Sequence, residues 1–365
     1  MYNRMRIPVN LVFFIDDCHV NAYMVPDNGP TAPFIFTSEK KQKRELGDKE
    51  AITKSLLREI CKDIRDWSSK SQSHSYSVLG CRVVLSPSWY VSETRVVVKE
   101  SPKPITCTKE LILEGASDAI FQKPDTKNNL VIIEEEISHI LLNGYPVTNP
   151  YGKRASEFKA SVYICHMSKD FQKYIKETIE TVYPSEKKII FQSLASVALS
   201  DAKNNLVTTA NLTSLKDGGM VVVNFCSYIT EIIYLHNETD VHLISLPIGY
   251  KETLHIMNEE TSSDHATTES LLDLFLDDKL KPESRTIVLE LLQRLGRDWV
   301  KMVMQGISQL PKTPTMVNLF VYAVDSRQLN IANMFTRILP FTSRDTIQTK
   351  LLHEIFTPSS STPRT

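Results

Sequence analysis

The chain has 365 residues, 42% hydrophobic and 23% charged, with a formal net charge of −1. That length supports two medium domains or one bilobed body with a large core, and the neutral balance excludes a global field for nucleic acid or anionic lipid. No apolar run reaches the roughly 18 residues of a membrane span. The six cysteines, at 18, 61, 81, 107, 165 and 226, include no CxxC pair and read as reduced thiols of a cytosolic protein.

From the amino terminus, residues 9–15 and 20–25 are β-rich runs separated by a short polar turn, which predicts a hairpin. The run 9–15 follows Arg4 and Arg6 but ends at Asp16-Asp17 without a small-residue cleavage site, so it reads as a first strand and not a leader. Residues 34–37 add a third strand. The basic cluster Lys40, Lys41, Lys43 and Arg44 has no interleaved aromatics and reads as a solvated turn. Ile52, Leu56, Leu57, Ile60 and Ile64 recur at helical spacing and predict a helix over 48–67. A serine-rich loop at 68–77 and a strand at 78–85 follow, closed by Ser86-Pro87.

A second block holds a strand at 95–99, a helix at 109–121 and two strands at 130–136 and 139–142. Asn143-Gly144 is a type I′ turn signal. A strand at 158–166 and a helix at 170–182 complete the block, and Trp89 and Tyr90 at its start read as core anchors. Glu134 and Glu136 fall on one face of their strand, which predicts a solvated edge. A third block has a strand at 188–191, a helix at 192–202, a polar connection at 203–217 and a three-strand meander over 218–224, 228–235 and 241–247. Helices at 269–277 and 285–304 precede a buried strand at 317–324. The apolar stripe Ile347, Leu351, Leu352, Ile355 and Phe356 predicts a short helix over 345–356 that packs back onto the body, before a Ser/Thr/Pro-rich tail expected to be disordered.

HExxH, GxSxG, P-loop and GxGxxG sequences are all missing, and the histidines have no metal-ligand spacing with cysteine. Cys18 and His19 are adjacent on a strand end and point apart, a poor geometry for a thiol nucleophile.

Two strand–turn–strand units, near residues 9 and 220, are a mark of the actin/hexokinase superfamily. The stretch Ile140-Leu141-Leu142-Asn143-Gly144-Tyr145-Pro146-Val147-Thr148-Asn149-Pro150-Tyr151-Gly152-Lys153 resembles a passage of the inserted subdomain in the FtsA/PilM branch of that superfamily. Lys159–Ile164, then Phe191-Gln192-Ser193-Leu194-Ala195-Ser196-Val197-Ala198, then Gly218-Gly219-Met220-Val221-Val222-Val223-Asn224, then Leu246-Pro247-Ile248-Gly249 follow in the family's order. The resemblance, which runs from about residue 9 to 340, implies an α/β, bilobed, actin-like (ribonuclease H-like) fold with duplicated lobes and an inserted FtsA-type subdomain. It implies a first lobe at 1–87, the inserted interaction subdomain at 88–183, the return to the first lobe and the second lobe at 184–340, and a C-terminal helix and tail at 341–365.

The family's nucleotide loops fall on Asp16, Cys18 and His19, and on Asn224, Cys226, Ser227 and Thr230, and here both are degenerate. A backbone that wraps phosphate needs positive φ and bare amides, which glycine permits. This chain has 11 glycines, roughly half the average usage, and none in either loop. Asp16 could still orient a hydrated Mg²⁺, whereas Cys18 obstructs the phosphates and Asp17 repels them. The adenosine-side segment Tyr322-Ala323-Val324-Asp325-Ser326-Arg327 also lacks glycine. The implied function is a pseudo-ATPase scaffold of bacterial division or pilus assembly, with no catalytic residue and no metal ligand. It would be cytoplasmic and reach the inner face of the cell membrane only through partners, namely the cytosolic tails of inner-membrane proteins, with self-association and no nucleic acid. ATP with Mg²⁺ is the cofactor if nucleotide binding survives. A divergent active ATPase and a monomeric adaptor without nucleotide are the alternatives.

Overall fold

Arg6–Ile15 form β1, and its side chains alternate between two cores, because successive residues of a strand point to opposite faces. Val9, Leu11, Phe13 and Ile15 enter one core, and Val12 and Phe14 enter another. A strand buried on both faces must be apolar throughout, which is why this run shows no hydrophobic–polar alternation. The computed structural model describes residues 6–17, 19–27, 34–39, 49–70, 75–120, 129–147, 149–182, 189–208, 219–236, 240–308, 318–340 and 347–356. The basic cluster at 40–44, residue 18 and the tail at 357–365 lie outside these.

The first sheet contains β1, β2 (His19–Pro26), β3 (Phe34–Glu39), β4 (Ser75–Leu85) and β9 (Ile189–Ser193), in the order β3-β2-β1-β4-β9. Its first three strands form an antiparallel meander, and β4 and β9 add in parallel. Another sheet repeats this arrangement. It contains β10 (Met220–Phe225), β11 (Thr230–His236), β12 (Asp240–Leu246), β13 (Asn318–Ala323) and β14 (Ile347–Leu351), in the order β12-β11-β10-β13-β14. The duplication implied by the two hairpins is therefore present at the level of strand order. An antiparallel third sheet lies between them in sequence, with β5 (Val91–Thr106), β6 (Leu130–Leu142), β7 (Tyr145–Pro146) and β8 (Arg154–Ser168) in the order β5-β8-β6-β7.

The helices are α1 (Lys49–Lys70), α2 (Lys109–Ile120), α3 (Lys169–Glu180), α4 (Leu194–Thr208), α5 (Tyr250–Thr261), α6 (His265–Leu276), α7 (Pro282–Ile307), α8 (Ser326–Thr336) and α9 (Leu352–Phe356). Helix α4 fills the core between the duplicated sheets, where Leu194, Ala198, Ala202 and Leu206 meet Phe14, Val222 and Phe320. Helix α2 covers one face of the third sheet through Ile112 and Ala116. Phe171, Ile175 and Ile179 of α3, with Tyr163, Cys165 and Met167 of β8, instead pack with α1 and β1. Residues 88–183 are thus divided between the third sheet's own core and that of the first sheet.

Several local expectations change. The two strands expected at 130–136 and 139–142 are one strand, β6, whose bulges at Ile132/Glu134 and Ile137/His139 break the alternation that a regular strand would show. Glu134 is not on a solvated edge: it accepts hydrogen bonds from the Ser193 N–H at 2.8 Å and from the Ser193 hydroxyl, whereas Glu136 is exposed. The helix expected over 345–356 is a strand followed by a single turn, because β13 offers Ile347–Leu351 a parallel partner and backbone pairing outweighs a five-residue stripe. Two helices, α5 and α8, were not anticipated. The glycine-free segment after β13 starts α8, whose N-cap is Asp325, accepting from the Gln328 N–H at 2.9 Å. Cys61, Cys81, Cys107, Cys165 and Cys226 are buried free thiols.

The Asn143-Gly144 turn has φ of 49° and 82°, and Gly152 has φ of 81°. A Cβ at Gly144 or Gly152 would meet nothing within 4 Å, so strain there is purely a backbone effect. Gly144→Val and Gly152→Val should each lower unfolding free energy by about 1–3 kcal/mol, as the left-handed conformation costs a branched residue. Urea denaturation measures this, and unchanged midpoints would show that the turns relax freely.

Candidate functional site

The hairpin turns of the duplicated sheets occupy equivalent positions, one after Ile15 and the other after Phe225. Each is closed by a backbone bond, Asp16 N–H to His19 C=O at 2.9 Å and Cys226 N–H to Ile229 C=O at 3.1 Å. The turns meet directly. The Ser227 hydroxyl donates to Asp16 Oδ2 at 2.5 Å, and the Ser227 N–H approaches the same oxygen at 3.3 Å. His19 Nδ1 lies 3.4 Å from the Ser227 hydroxyl and 4.0 Å from Asp16 Oδ2. Asp16, His19 and Ser227 are all buried, so the fold brings these sequence-predicted residues together in a closed contact. Cys18 lies outside the described residues.

Asp17 is held separately. Lys49 Nζ stands 2.6 Å from Asp17 Oδ1, and the Ser88 hydroxyl donates to Oδ2 at 2.5 Å. The same ammonium donates to the Ser88 carbonyl at 3.0 Å and sits 4.3 Å from the Trp89 ring centroid, a cation–π arrangement. Trp89 stacks on Phe171. Burial, reinforced by Asp16, pushes the Asp17 carboxyl up to about 6 against the pull of Lys49 and Ser88. Neither Lys49 nor Ser88 carries a local sequence signal for this role.

Asn224 and Glu231 are direct partners across β10 and β11, so their side chains share a face. Asn224 Nδ2 donates to Glu231 Oε2 at 3.0 Å, and the Tyr90 hydroxyl lies 2.8 Å from both carboxyl oxygens. Tyr90 also receives the Ala195 N–H at 3.4 Å. Beside it the Tyr163 hydroxyl donates to Ser193 Oγ at 3.0 Å, which continues to Glu134. Burial pushes the Glu231 carboxyl up to about 7, with Glu134 adding to the shift against the hydrogen bonds from Tyr90 and Asn224. Tyr90 is a core anchor as expected, but its polar end ties the start of β5 to the second hairpin. The length of the turn between β10 and β11 implies the 224–231 pairing, whereas nothing local points to Tyr90 as its partner.

Cys226 and Thr230 do structural work. The Thr230 hydroxyl donates to the Ile248 carbonyl at 2.6 Å and accepts from Trp299 Nε1 at 3.2 Å. The Cys226 and Ser227 carbonyls accept the Tyr250 and Lys251 N–H groups at 3.0 and 2.7 Å. A helix N-terminus offers such amides to an anion, but these first amides of α5 are taken by the loop itself. Gly249 permits the approach, since a Cβ there would lie 2.4 Å from the Cys226 carbonyl oxygen. Asp16 Oδ1 and Asn224 Oδ1 are buried acceptors with no hydrogen-bond partner among the described residues. A cavity of about 370 Å³ lies elsewhere, lined in part by Arg82, Glu136, Gln192, Ser196, Lys203 and Phe356.

No protein-family model and no curated protein sequence matches this chain. Among solved structures it is similar to the PilM–PilN type IV pilus biogenesis complex, with a TM-score of 0.59 and 11% identity over 95% of this chain and 93% of that one. It also matches the ethanolamine utilization protein EutJ of Carboxydothermus hydrogenoformans, with a TM-score of 0.46 and 10% identity over 98% and 89%. A third is MreB 5 of Spiroplasma citri bound to AMPPNP, with a TM-score of 0.40 and 10% identity over 95% and 92%. The fold is bilobed and actin-like.

Two measurements address the seam. Ser227→Ala removes the hydroxyl from a buried carboxylate and should cost about 1–3 kcal/mol of stability, read by denaturant unfolding. For Glu231 the folded value of about 7 lies above the ordinary 4.5, so the native state holds the proton more tightly. Stability from this group is present below about pH 4.5 and is lost as pH rises through about 7. Glu231→Gln escapes that loss, so its melting midpoint relative to the parent should rise between about pH 5 and pH 8. A constant difference across that range would show that Glu231 is not carrying the proton.

Proposed function

We propose that this chain is an actin-fold scaffold whose interlobe cleft no longer turns over nucleotide, and that it recruits the tails of membrane-protein partners in division or pilus assembly. The observation that carries the reading is the direct contact of the two hairpin turns, in which Ser227 caps Asp16 where phosphate would stand. The residues do not fit Mg²⁺-ATP. The α5 amides are consumed by Cys226 and Ser227, Asn224 replaces the expected carboxylate, and Asp17 adds a second acid beside Asp16. The unpartnered Asp16 Oδ1 and Asn224 Oδ1 favour the second reading, a divergent ATPase that opens the cleft to bind.

Partner binding is supported by the likeness to PilM in its complex with PilN and by the third sheet. The edge strand β5 is paired only on its β8 side among the described strands, and it carries Val96 and Val98 at 57% and 52% exposure. Such an edge accepts an extended segment by β-addition. Among the described residues no helix is long and apolar enough to cross a membrane, and membrane contact in this reading goes through the partner.

A thermal melt with Mg²⁺-ATP tests the cleft, since a ligand bound only by the folded state must raise the midpoint. At about 5 mM the shift should be less than about a degree, with binding weaker than millimolar. A rise of several degrees that Asp16→Ala abolishes would establish nucleotide binding in the cleft and favour the ATPase reading instead.

A further inference from the structure

The shared strand order gives each residue of one duplicated sheet a counterpart in the other. Ile15 pairs with Val20 and Phe225 with Thr230 to close the hairpins, so Asn10 corresponds to Met220 and Val25 to Leu235. Through the parallel neighbours Arg82 corresponds to Phe320, Ile190 to Gln348 and Gln192 to Lys350. In the second sheet this face is covered at the strands inside the edge strand β14, with Met220 at 0% and Leu235 and Phe320 at 1% exposure, while Gln348 and Lys350 on β14 are half-buried. The cover is α4, fifteen residues long, whose Asp201 accepts from the Tyr322 hydroxyl at 2.7 Å and from Lys350 Nζ at 2.9 Å.

Helix α4 follows β9, and its counterpart α9 follows β14, crossing to the first sheet where Phe356 meets Tyr23 at a ring distance of 5.4 Å. Among the described residues α9 spans only five, Leu352–Phe356. The face that a full-length counterpart would cover therefore stays open. Ile190 is 48% exposed, and a cavity of about 290 Å³ is lined in part by Asn10, Val25, Gly80, Arg82, Ile190 and Phe356. It shares Arg82, Ile355 and Phe356 with the cavity of about 370 Å³, into whose lining Gln192 brings a buried Oε1 with no partner among the described residues. Arg82 is exposed and has no ion pair among the described residues. Residues 357–365 include Pro358 and Pro363 and no aliphatic side chain, so they lack the stripe that a covering helix needs.

We propose that this open face of the first sheet is a docking site for an amphipathic helix of a partner protein, apolar where it meets Val25 and Ile190 and carrying a carboxylate for Arg82. The apolar part of the occupant follows from α4, which covers the equivalent face with Leu, Val and Ala at helical spacing and sets one half-buried acid, Asp201, against a cation of the sheet, Lys350; the cation of the open face is Arg82. The inference takes from the scaffold reading only that a partner exists.

The probe is a fluorescein-labelled peptide of residues 192–208, the chain's own covering helix, titrated with the full chain and followed by polarisation. By the correspondence above, its Asp201 falls over Gln192, whose neighbour on β4 is Val84, two residues along from Arg82 and within reach of its long side chain. Saturable binding is expected, weakened about tenfold or more by Ile190→Asp and by Arg82→Glu. An Asp201→Lys peptide should recover binding to the Arg82→Glu chain. Both positions are exposed, so both variants should keep the parent's melting midpoint, which is measured alongside. No binding up to about 1 mM, or binding indifferent to both variants, overturns the proposal. Binding seen only after removal of residues 358–365 also overturns it, by assigning the face to the chain's own C-terminal residues. Nucleotide binding would defeat the scaffold reading and leave this result untouched.

Discussion

The central strands of the duplicated sheets are buried on both faces, and most of the molecule follows from that constraint. β1 sends Leu11 and Phe13 to one core and Val12 and Phe14 to another, and β10 divides Val221 and Val223 from Met220 and Val222 in the same way. The inner faces share a single apolar core with α4 between them. The lobes are therefore joined by packing, and separating them would expose large aromatic side chains such as Phe14, Phe320 and Tyr322 to water. Interior packing of this density resists gradual deformation.

Where the apolar strands end, the chain must satisfy polar groups without water. The hairpin turns do this with side chains, Ser227 on Asp16 and Tyr90 with Asn224 on Glu231. Glycine in these turns would leave bare amides and room for an anion. Serine, cysteine and asparagine fill that room and hydrogen-bond across it, so loss of glycine acts twice, removing a cradle and adding interlobe contacts. Burial then raises the Glu231 and Asp17 carboxyls, because little positive charge reaches them apart from Lys49 beside Asp17.

Duplication also shows where the lobes differ. The C-terminal strand β14 is required to complete the second sheet as β9 completes the first, and this is why 347–351 pairs with β13 although its apolar stripe suits a helix. Among the described residues the helix after it is shorter than its counterpart, and the outer end of the first sheet's inner face, at Asn10, Val25 and Ile190, stays more open than its equivalent at Met220 and Leu235. Lys350, within the segment read from the sequence as a helix, instead locks β14 to Asp201 of α4.

Much of this was legible in the residues. Apolar runs located the central strands, the stripe of Ile52, Leu56, Ile60 and Ile64 located α1, and Asn143-Gly144 located a hairpin, because face, period and turn conformation are local properties. The sequence by itself determined where the apolar central strands and α1 lie, that two similar hairpins recur along the chain, and that neither hairpin turn holds a glycine. Tertiary structure alone decided how the polar ends are paired. Asp16 and Ser227 are 211 residues apart, Tyr90 and Glu231 are 141 apart, and Glu134, which follows a bulge in β6, reaches Ser193 59 residues away. Hydrogen bonds of that reach are set by where the packed sheets place each strand end, and no local pattern encodes the partner.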